Sequence, residues 1–304
     1  RTPSMVAQVL LGDRGTGKSV WADFFGEIFE PHLHKVSDIN ALTGRFNSHL
    51  SECILVIAEE AFDLRDKRHE SVLKEFITGR KISVEHKGFD RVLMRNYAHL
   101  IMTSNNDRVV PAGDHERRYH VLRVSNRQRQ NSAYFRKILD DQKNGGVASL
   151  LAFLMSVDLT DFDVTDYPET PALREQQEFN LPLDLEWLLH KLESGRWLDD
   201  ARSTWTSVPR QALYDDYVKY MERSKARVVR GRRAFYQFVE KEIPDAADKK
   251  LYVNPGTQDR VNGFIFPPLE RCRELFQKSR GWKTHDWPDV VVGSVRTDPK
   301  GPFE

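Results

Sequence analysis

One short turn constrains the fold of this chain more than any other part of it. The stretch "LLGDRGTGKSVW", residues 10–21, contains the pattern G-x-x-x-x-G-K-[ST]. Its fixed positions are Gly12, Gly17, Lys18 and Ser19. Residues 5–11 before the turn are apolar, which predicts a strand, and residues 20–29 after it are apolar at helical spacing. A strand, a glycine-rich turn and a helix together predict an α/β fold with a phosphate-binding loop.

The expected ligand of this loop is a nucleotide with Mg²⁺. Glycines let the backbone curl so that several N–H groups point at anionic oxygens, and the following helix directs its positive end at them. Lys18 is expected to reach the β- and γ-phosphates, and the Ser19 hydroxyl to ligate Mg²⁺. The residues expected to bind the nucleotide are Gly12, Gly15, Thr16, Gly17, Lys18 and Ser19.

Composition narrows the class of protein. A length of 304 residues suggests about two domains, and a formal charge of +1 means that any nucleic-acid binding must come from local patches. Two cysteines give no disulfide framework and favour a reducing compartment. We find no signal peptide and no apolar run of membrane-spanning length, so we expect a cytoplasmic protein. Because the first strand begins almost at once, we expect the chain to be a piece of a larger protein.

Two further strands end in polar residues. "CILVIAEEAF", residues 53–62, runs into two acids, of which Glu59 is expected to hold Mg²⁺ and Glu60 to polarise the attacking water. "YAHLIMTSNN", residues 97–106, ends in two amides, and Asn105 is expected to contact the γ-phosphate and the water. The alternatives are surface acids at a strand end and an ordinary asparagine turn.

A basic hairpin is predicted between these strands. Residues 82–86 and 91–94 look like short strands, and residues 87–90 form the tip. A cation and a flat ring at a tip suit a phosphate backbone and a base, although a solvated hairpin with incidental charge is the alternative. The candidate DNA-binding residues here are Lys81, His86, Lys87 and Phe89.

Two arginines precede the next strand. Arg117 and Arg118 stand before the alternating apolar stretch that starts at Tyr119. An arginine in this place can stabilise the γ-phosphate of a neighbouring subunit's nucleotide, and the alternative is a surface pair.

The order of these parts, between Gly12 and Arg118, resembles superfamily 3 helicases, the compact AAA+ motors of small DNA viruses. It is most similar to the helicase part of phage, plasmid and poxvirus-type primase-helicases, over roughly residues 5–125. "GDRGTGKS", "LVIAEE", "GRKISVEHKG" and "LIMTSNN" correspond to motif A, motif B, the hairpin motif and motif C. In that family the finger directly precedes the aromatic residue, which favours Arg118. Motif B here is Glu-Glu where many members have Asp-Glu, and the helical region that usually precedes the core is missing.

The second half of the chain has a different composition. "SVDLTDFDVTDYPETP" is acidic and proline-punctuated, which predicts a linker over residues 156–182 between an ATPase domain, 1–155, and a winged-helix-like domain, 183–280. Residues 281–304 form a tail, in which "VVVG", 290–293, could be one strand. The predicted helices of the second domain are residues 183–192, a helix capped by Ser207 that runs to about 223, residues 232–242 and residues 269–278. A β-hairpin is predicted from residues 249–254 and 260–266.

One basic stretch in this domain is a second candidate DNA contact. "RSKARVVRGRR", residues 223–233, has six basic residues and no acid, and it opens the helix that enters the major groove in a winged helix. The alternatives are a solvated charged loop and a protein-docking domain. The candidate residues are Arg230, Arg232 and Arg233.

The resemblance implies an ATPase and DNA helicase of a phage or mobile-element replication system. It implies a homo-oligomer, a hexameric ring, that moves on single-stranded DNA in the bacterial host cytoplasm. Duplex or origin DNA and a primase or polymerase, fused or separate, are further expected partners. Two other functions stay open: an ATP-dependent replication initiator or loader without processive unwinding, and a small-molecule P-loop kinase, which predicts a monomer without a basic hairpin.

Overall fold

The chain divides into two compact units, residues 1–180 and residues 181–304. The computed structural model describes residues 5–44, 47–60, 67–164, 166, 169–198, 205–252 and 260–290. The predicted strand at 290–293 lies almost wholly outside these described residues.

The first unit contains a five-stranded parallel sheet. Its strands are β1 (Ala7–Leu11), β2 (Leu33–Val36), β3 (Leu55–Glu59), β6 (His99–Ser104) and β7 (Tyr119–Arg123), in the order β2-β3-β6-β1-β7. Because every strand is parallel, all the strand ends that carry the predicted polar residues lie at one edge of the sheet. The predicted α/β fold is therefore confirmed, its sheet is parallel, and β2 is a strand that the sequence analysis did not identify.

Helices cover both faces of this sheet. Within β3, Leu55 and Ile57 pack on one face with Ala22 of the first helix, whereas Val56 and Ala58 pack on the other with Leu73. A strand buried on both faces reads as a continuous apolar run, which explains the sequence of residues 55–58. The helices of this unit are α1 (Lys18–Gly26), α2 (Asn40–Thr43), α3 (Lys67–Thr78), α4 (Ser132–Asp141), α5 (Val147–Ser156) and α6 (Pro171–Phe179).

The predicted hairpin is present beside the sheet. Strands β4 (Lys81–Val84) and β5 (Val92–Arg95) pair antiparallel, and Val84 faces Val92 at the closing pair. The Asn47 side chain anchors the hairpin, because its Nδ2 donates to the Ser83 carbonyl and its Oδ1 accepts from the Glu85 N–H, both at 2.9 Å.

Part of the predicted linker is a helix of the first unit. Helix α6 lies inside residues 156–182, and its Gln176 side chain is fully buried. Gln176 Oε1 accepts from the backbone N–H of Val109 and of Val110, at 2.8 and 3.3 Å. This polar side chain is buried because it accepts hydrogen bonds from the backbone of a loop. Composition alone therefore assigned the helix wrongly to a linker.

The second unit combines helices with a small antiparallel sheet. Its helices are α7 (Leu183–Ser194), α8 (Arg210–Arg223), α9 (Arg232–Glu242) and α10 (Leu269–Arg280), and its strands are β8 (Ser207–Pro209), β9 (Ala247–Tyr252) and β10 (Arg260–Ile265), in the order β8-β10-β9. Its core is aromatic, with Trp187, Trp197, Trp205, Tyr217, Phe235, Phe264 and Phe276 buried. The expected cap at Ser207 is wrong: Ser207 pairs with Ile265 in the sheet, and α8 begins after Pro209.

Two kinds of feature are absent from the described residues. None of the helices there has the length and apolar character needed to cross a bilayer. Nor do those residues bring three histidine, cysteine or acidic side chains together as a metal-binding group.

Candidate functional site

The glycine-rich turn joins β1 to α1, and two of its glycines have backbone conformations or close approaches that a side chain does not fit. Gly17 has φ +93°, and a Cβ there would lie 2.3 Å from Cε1 of Phe135. Gly12 has φ +156°, and a Cβ there would lie 3.1 Å from the Val124 carbonyl oxygen. Position 17 combines a left-handed backbone with a close approach to Phe135, and only glycine fits both. The glycine at this position of the motif therefore has a steric cause.

Lys18 occupies the centre of the site. Its side chain is buried, and its Nζ donates to the carbonyls of Gly12 and Asp13 at 2.7 and 2.9 Å. A third bond, of 2.7 Å, goes to Oδ1 of Asn105. Burial lowers the pKa of Lys18, while Glu60 and Asp13 act in the opposite direction. An anionic ligand beside Nζ would further stabilise the charged form.

The two predicted acids lie at the same edge of the sheet. Glu59 ends β3 opposite Thr103, and Glu60 follows it with φ +50°. Oε1 of Glu60 accepts from the Asn105 N–H at 2.8 Å, and Oε2 accepts from the Ser104 hydroxyl at 3.2 Å. These bonds orient the Glu60 carboxylate at the cost of a left-handed backbone, a conformation that non-glycine residues adopt rarely.

A cleft of about 290 Å³ gathers these predicted residues. It is lined by Arg14, Gly15, Gly17, Lys18, Ser19, Val20, Glu59, Glu60, Thr103 and Asn105. Ser19 and Glu59 both face this cleft, so a hydroxyl and a carboxylate are available for a Mg²⁺ ion that also binds phosphate and water. Arg14 is an exposed cation of the cleft that the sequence analysis did not single out.

A segment after β7 supports the phosphate loop, and sequence reasoning missed it. Asp13 Oδ2 accepts from Arg129 at 2.7 Å and from Asn126 at 3.0 Å. The Gln130 N–H donates to the Gly15 carbonyl at 2.9 Å. These contacts join positions more than a hundred residues apart, so no local pattern in the sequence could have indicated them.

A second, more apolar pocket adjoins the loop. It measures about 390 Å³, and its lining includes Gly15, Gly17, Gln130, Phe135 and Leu139. An aromatic ring beside a phosphate loop offers a surface on which a flat base can stack. Thr16 has a structural role beside it, because its hydroxyl donates to the Asp13 carbonyl at 2.9 Å.

The predicted finger lies at the opposite edge of the sheet. Arg118 immediately precedes Tyr119, which pairs with Ala7 at the start of β1. Arg118 Nη1 donates to Glu116 Oε1 at 3.2 Å, and its side chain is partly buried, whereas Arg117 is exposed. The structure therefore does not bring Arg117 and Arg118 to the cleft of their own chain.

The hairpin presents its predicted residues unevenly. His86, Lys87 and Phe89 lie at the exposed tip, where Phe89 is 76% exposed. Phe89 and His86 form an edge-to-face pair with ring centroids 6.5 Å apart. Lys81 is also exposed, but it lies at the base of the hairpin opposite Arg95. Only three of the four candidates thus lie at the tip.

The basic residues of the second unit also differ from one another. Arg230 bonds Asp184 through Nε at 2.9 Å and Nη2 at 2.8 Å, and it stacks on the Phe238 ring. Arg232 lies over the Tyr214 ring at 5.8 Å, and Arg233 is exposed at the start of α9. Arg230 therefore has a structural role, while Arg232 and Arg233 stand at the surface.

Comparisons with known proteins found one matching family model and one similar phage protein. The model of a family of unknown function, DUF5906, matches residues 10–118. A DNA primase-polymerase of Nitratiruptor phage NrS-1 is 31% identical over 125 residues, which cover 40% of this chain and 17% of that protein. This chain thus corresponds to a small part of that relative.

Solved structures show a similar fold. The apo structure of the NrS-1 C-terminal region, residues 305–718, superposes with a TM-score of 0.61 at 18% identity, covering 88% of this chain and 68% of that one. The A form of the same region gives a TM-score of 0.60 at 17% identity, with the same coverage. Over 125 residues this chain is similar in sequence to a phage DNA primase-polymerase, and its fold is similar to that of the NrS-1 C-terminal region.

Proposed function

We propose that this chain is an ATP-driven motor of the superfamily 3 type that acts on single-stranded DNA in phage replication. The observation that supports it best is the cluster of Lys18, Asn105 and Glu60 at the carboxyl ends of three adjacent strands. A lysine for phosphates, an amide and an oriented carboxylate are the groups that nucleotide hydrolysis requires.

The chain's own residues suggest the order of events in the cleft. ATP would replace Asn105 at Nζ of Lys18, because a phosphate oxygen offers this cation a charged acceptor. Asn105 would then be available for the γ-phosphate, while its backbone N–H keeps Glu60 in place. Mg²⁺, held by Ser19 and Glu59, would neutralise charge on the β- and γ-phosphates.

Glu60 is the proposed general base. Its carboxylate already accepts two hydrogen bonds, from the Asn105 N–H and the Ser104 hydroxyl, which leave acceptor capacity for a water. A base held in this way polarises a water without first having to reorient.

The hairpin supports DNA over a small-molecule substrate. Lys87 and Phe89 stand together at an exposed tip, where a cation and a ring suit a phosphate and a base. A small-molecule kinase has no use for such a tip and needs its cationic residues at its own cleft, whereas Arg118 lies at the far edge of the sheet. The similarity to a phage DNA primase-polymerase supports a role in phage DNA replication.

The test measures ATP hydrolysis by the wild type and by Lys18→Ala, with and without single-stranded DNA, alongside mass in solution. We expect DNA-stimulated hydrolysis that Lys18→Ala abolishes while the variant stays folded. Turnover near the wild-type rate in a folded Lys18→Ala protein would refute the site. Separation of a forked duplex then distinguishes a helicase from an initiator or loader, which would hydrolyse ATP without it.

A further inference from the structure

Glu116 is a buried carboxylate beside the two arginines that precede β7. Its side chain is 3% exposed, and its Oε1 accepts from the backbone N–H of Arg117 at 2.9 Å and of Arg118 at 2.8 Å. The same oxygen accepts from Nη1 of Arg118 at 3.2 Å. The Arg118 side chain is still 30% exposed, so its guanidinium keeps further N–H donors for another ligand. One carboxylate therefore sets both the backbone and the side chain of Arg118.

Stability alone does not account for this turn. His115, directly before Glu116, has φ +56°, a left-handed conformation that non-glycine residues adopt rarely. The phenol of Tyr119, directly after the arginines, is fully buried and has no hydrogen-bond partner among the described residues. Backbone strain concentrates at functional sites, and a buried ion pair is weak evidence of a gain in stability. These features favour a role for Glu116 in placing the arginine.

Lys74 on α3 contacts the second oxygen of the same carboxylate. Its Nζ lies 3.8 Å from Oε2 of Glu116, and it also donates to Oε1 of Glu70 at 2.7 Å. Glu116 thus bonds the guanidinium of Arg118 through one oxygen and faces a cation of α3 with the other. A shift of α3 changes the attraction on this carboxylate and, through it, the placement of Arg118.

The base of the hairpin is fixed to the end of α3. Asn96, which follows β5, is 4% exposed, and its Nδ2 donates to the carbonyls of Phe76 at 2.7 Å and of Gly79 at 3.0 Å. Its backbone N–H donates to the Arg80 carbonyl at 3.0 Å. Because these bonds join the two elements, we expect the end of α3 and the base of the hairpin to move together. Lys74 stands about one helical turn before that end of α3.

We propose that Glu116 is a positioning residue for Arg118, and that Lys74 makes this position depend on α3 and hence on the hairpin. Arg118 is the residue that acts on a nucleotide, and Glu116 acts only through it. The inference rests on the proposed function, because the link joins DNA at the hairpin to hydrolysis of a nucleotide. In this arrangement DNA at the hairpin tip changes the rate of hydrolysis without touching the cleft.

The first experiment measures kcat and KM for ATP hydrolysis by the wild type, by Glu116→Gln and by Glu240→Gln. We expect Glu116→Gln to lower kcat by roughly ten- to a hundredfold, because a small displacement of an oriented group has an effect of this size, and to leave KM nearly unchanged. Glu240→Gln is the matched control, because it removes an ion pair of 3.0 Å with Arg210 in the second unit. It should hydrolyse ATP like the wild type.

A second variant guards against a loss of folding. Glu116→Asp keeps the charge on a shorter side chain, so it should also lower kcat, and it replaces Glu116→Gln if that variant has a lower melting temperature than the wild type. A wild-type kcat in the folded Glu116 variants would overturn the proposal.

A double variant distinguishes positioning from a structural role. Glu116→Gln should have no further effect on kcat in an Arg118→Ala background, because the residue that it positions is already gone. A structural role predicts the same fold-loss of kcat in both backgrounds. That result, or wild-type turnover by Arg118→Ala, would overturn the proposal.

Lys74→Met tests the link to the hairpin. The stimulation of its hydrolysis by single-stranded DNA should be mostly lost, while its affinity for that DNA should stay like that of the wild type because the tip is intact. Lys219→Met, which replaces an exposed lysine of the second unit, should be stimulated like the wild type. Full stimulation of Lys74→Met would overturn the link between the hairpin and Glu116.

The same measurements separate this inference from the proposed function. A wild type that binds no nucleotide, or whose hydrolysis does not respond to single-stranded DNA, would refute the proposed function. A wild type whose DNA-stimulated hydrolysis needs Lys18 and Arg118 but not Glu116 would refute this inference alone.

Discussion

Replacing Arg118 tests whether each catalytic site needs a second subunit. Arg118 lies beside the start of β1, because the next residue, Tyr119, pairs with Ala7. Gly12 lies at the other end of β1, directly after Leu11. Five residues of strand separate Ala7 from Gly12, which corresponds to about 16 Å at ~3.3 Å per residue. This distance exceeds the length of an extended arginine side chain, so Arg118 cannot reach the phosphates of its own chain.

The expected effect on the rate is large. A finger that stabilises charge on the transferring phosphoryl group contributes ~10³-fold or more to hydrolysis, which is about 4 kcal/mol of transition-state stabilisation. Arg118→Ala should therefore bind ATP like the wild type and hydrolyse it at least roughly a thousandfold more slowly. Hydrolysis by the wild type should also fall steeply on dilution, as neighbouring subunits separate.

Mixing two inactive variants is the decisive assay. Lys18→Ala lacks the phosphate-loop cation and Arg118→Ala lacks the finger, so each alone should be inactive. In mixed assemblies, some contacts pair an intact loop with an intact Arg118 from the next subunit, and part of the activity should return. Arg117→Ala is the matched control. If Arg117→Ala loses turnover and Arg118→Ala does not, the finger is Arg117. A fully active monomer, insensitive to dilution, would refute the reasoning.

Three further predictions concern single side chains. Glu60→Gln should bind ATP and Mg²⁺ normally but hydrolyse ATP slowly, whereas Glu59→Gln should bind Mg²⁺ more weakly. If a metal titration of the two variants shows the opposite pattern, the roles of Glu59 and Glu60 are exchanged. Lys87→Ala should keep its basal rate of ATP hydrolysis and lose most of the stimulation of that rate by single-stranded DNA. Its binding to DNA should also depend less on salt. Unchanged stimulation would exclude the hairpin tip from the DNA contact. Arg230→Ala should lower the free energy of unfolding by ~0.2–1 kcal/mol, because it breaks a partly exposed ion pair with Asp184. An unchanged melting temperature would contradict that structural role.

The local features of the site could be predicted from the sequence. The glycine-rich turn is recognisable because its fixed positions lie in one short stretch, and two of the Lys18 hydrogen bonds go to carbonyls of that same stretch. The polar ends of β3 and β6 were also identified, because a buried strand is a continuous apolar run and its end is marked by the first polar residues. The hairpin strands were placed to within about two residues, since alternation and a glycine-containing tip are local signals.

What the sequence could not determine depends on contacts between distant positions. The strand order that brings Asn105 between Lys18 and Glu60 follows from pairing across the sheet, as does the remoteness of Arg118 from its own cleft. Helix α6 falls in a stretch that its acidic, proline-containing composition marked as a linker, and its Gln176 bonds to a loop 67 residues away, which no local pattern shows. Arg230 was expected to contact DNA, although Asp184 binds it. A charged residue or a polar stretch looks the same in the sequence whether it faces solvent, a partner or another part of the chain. Only the tertiary structure distinguishes these cases.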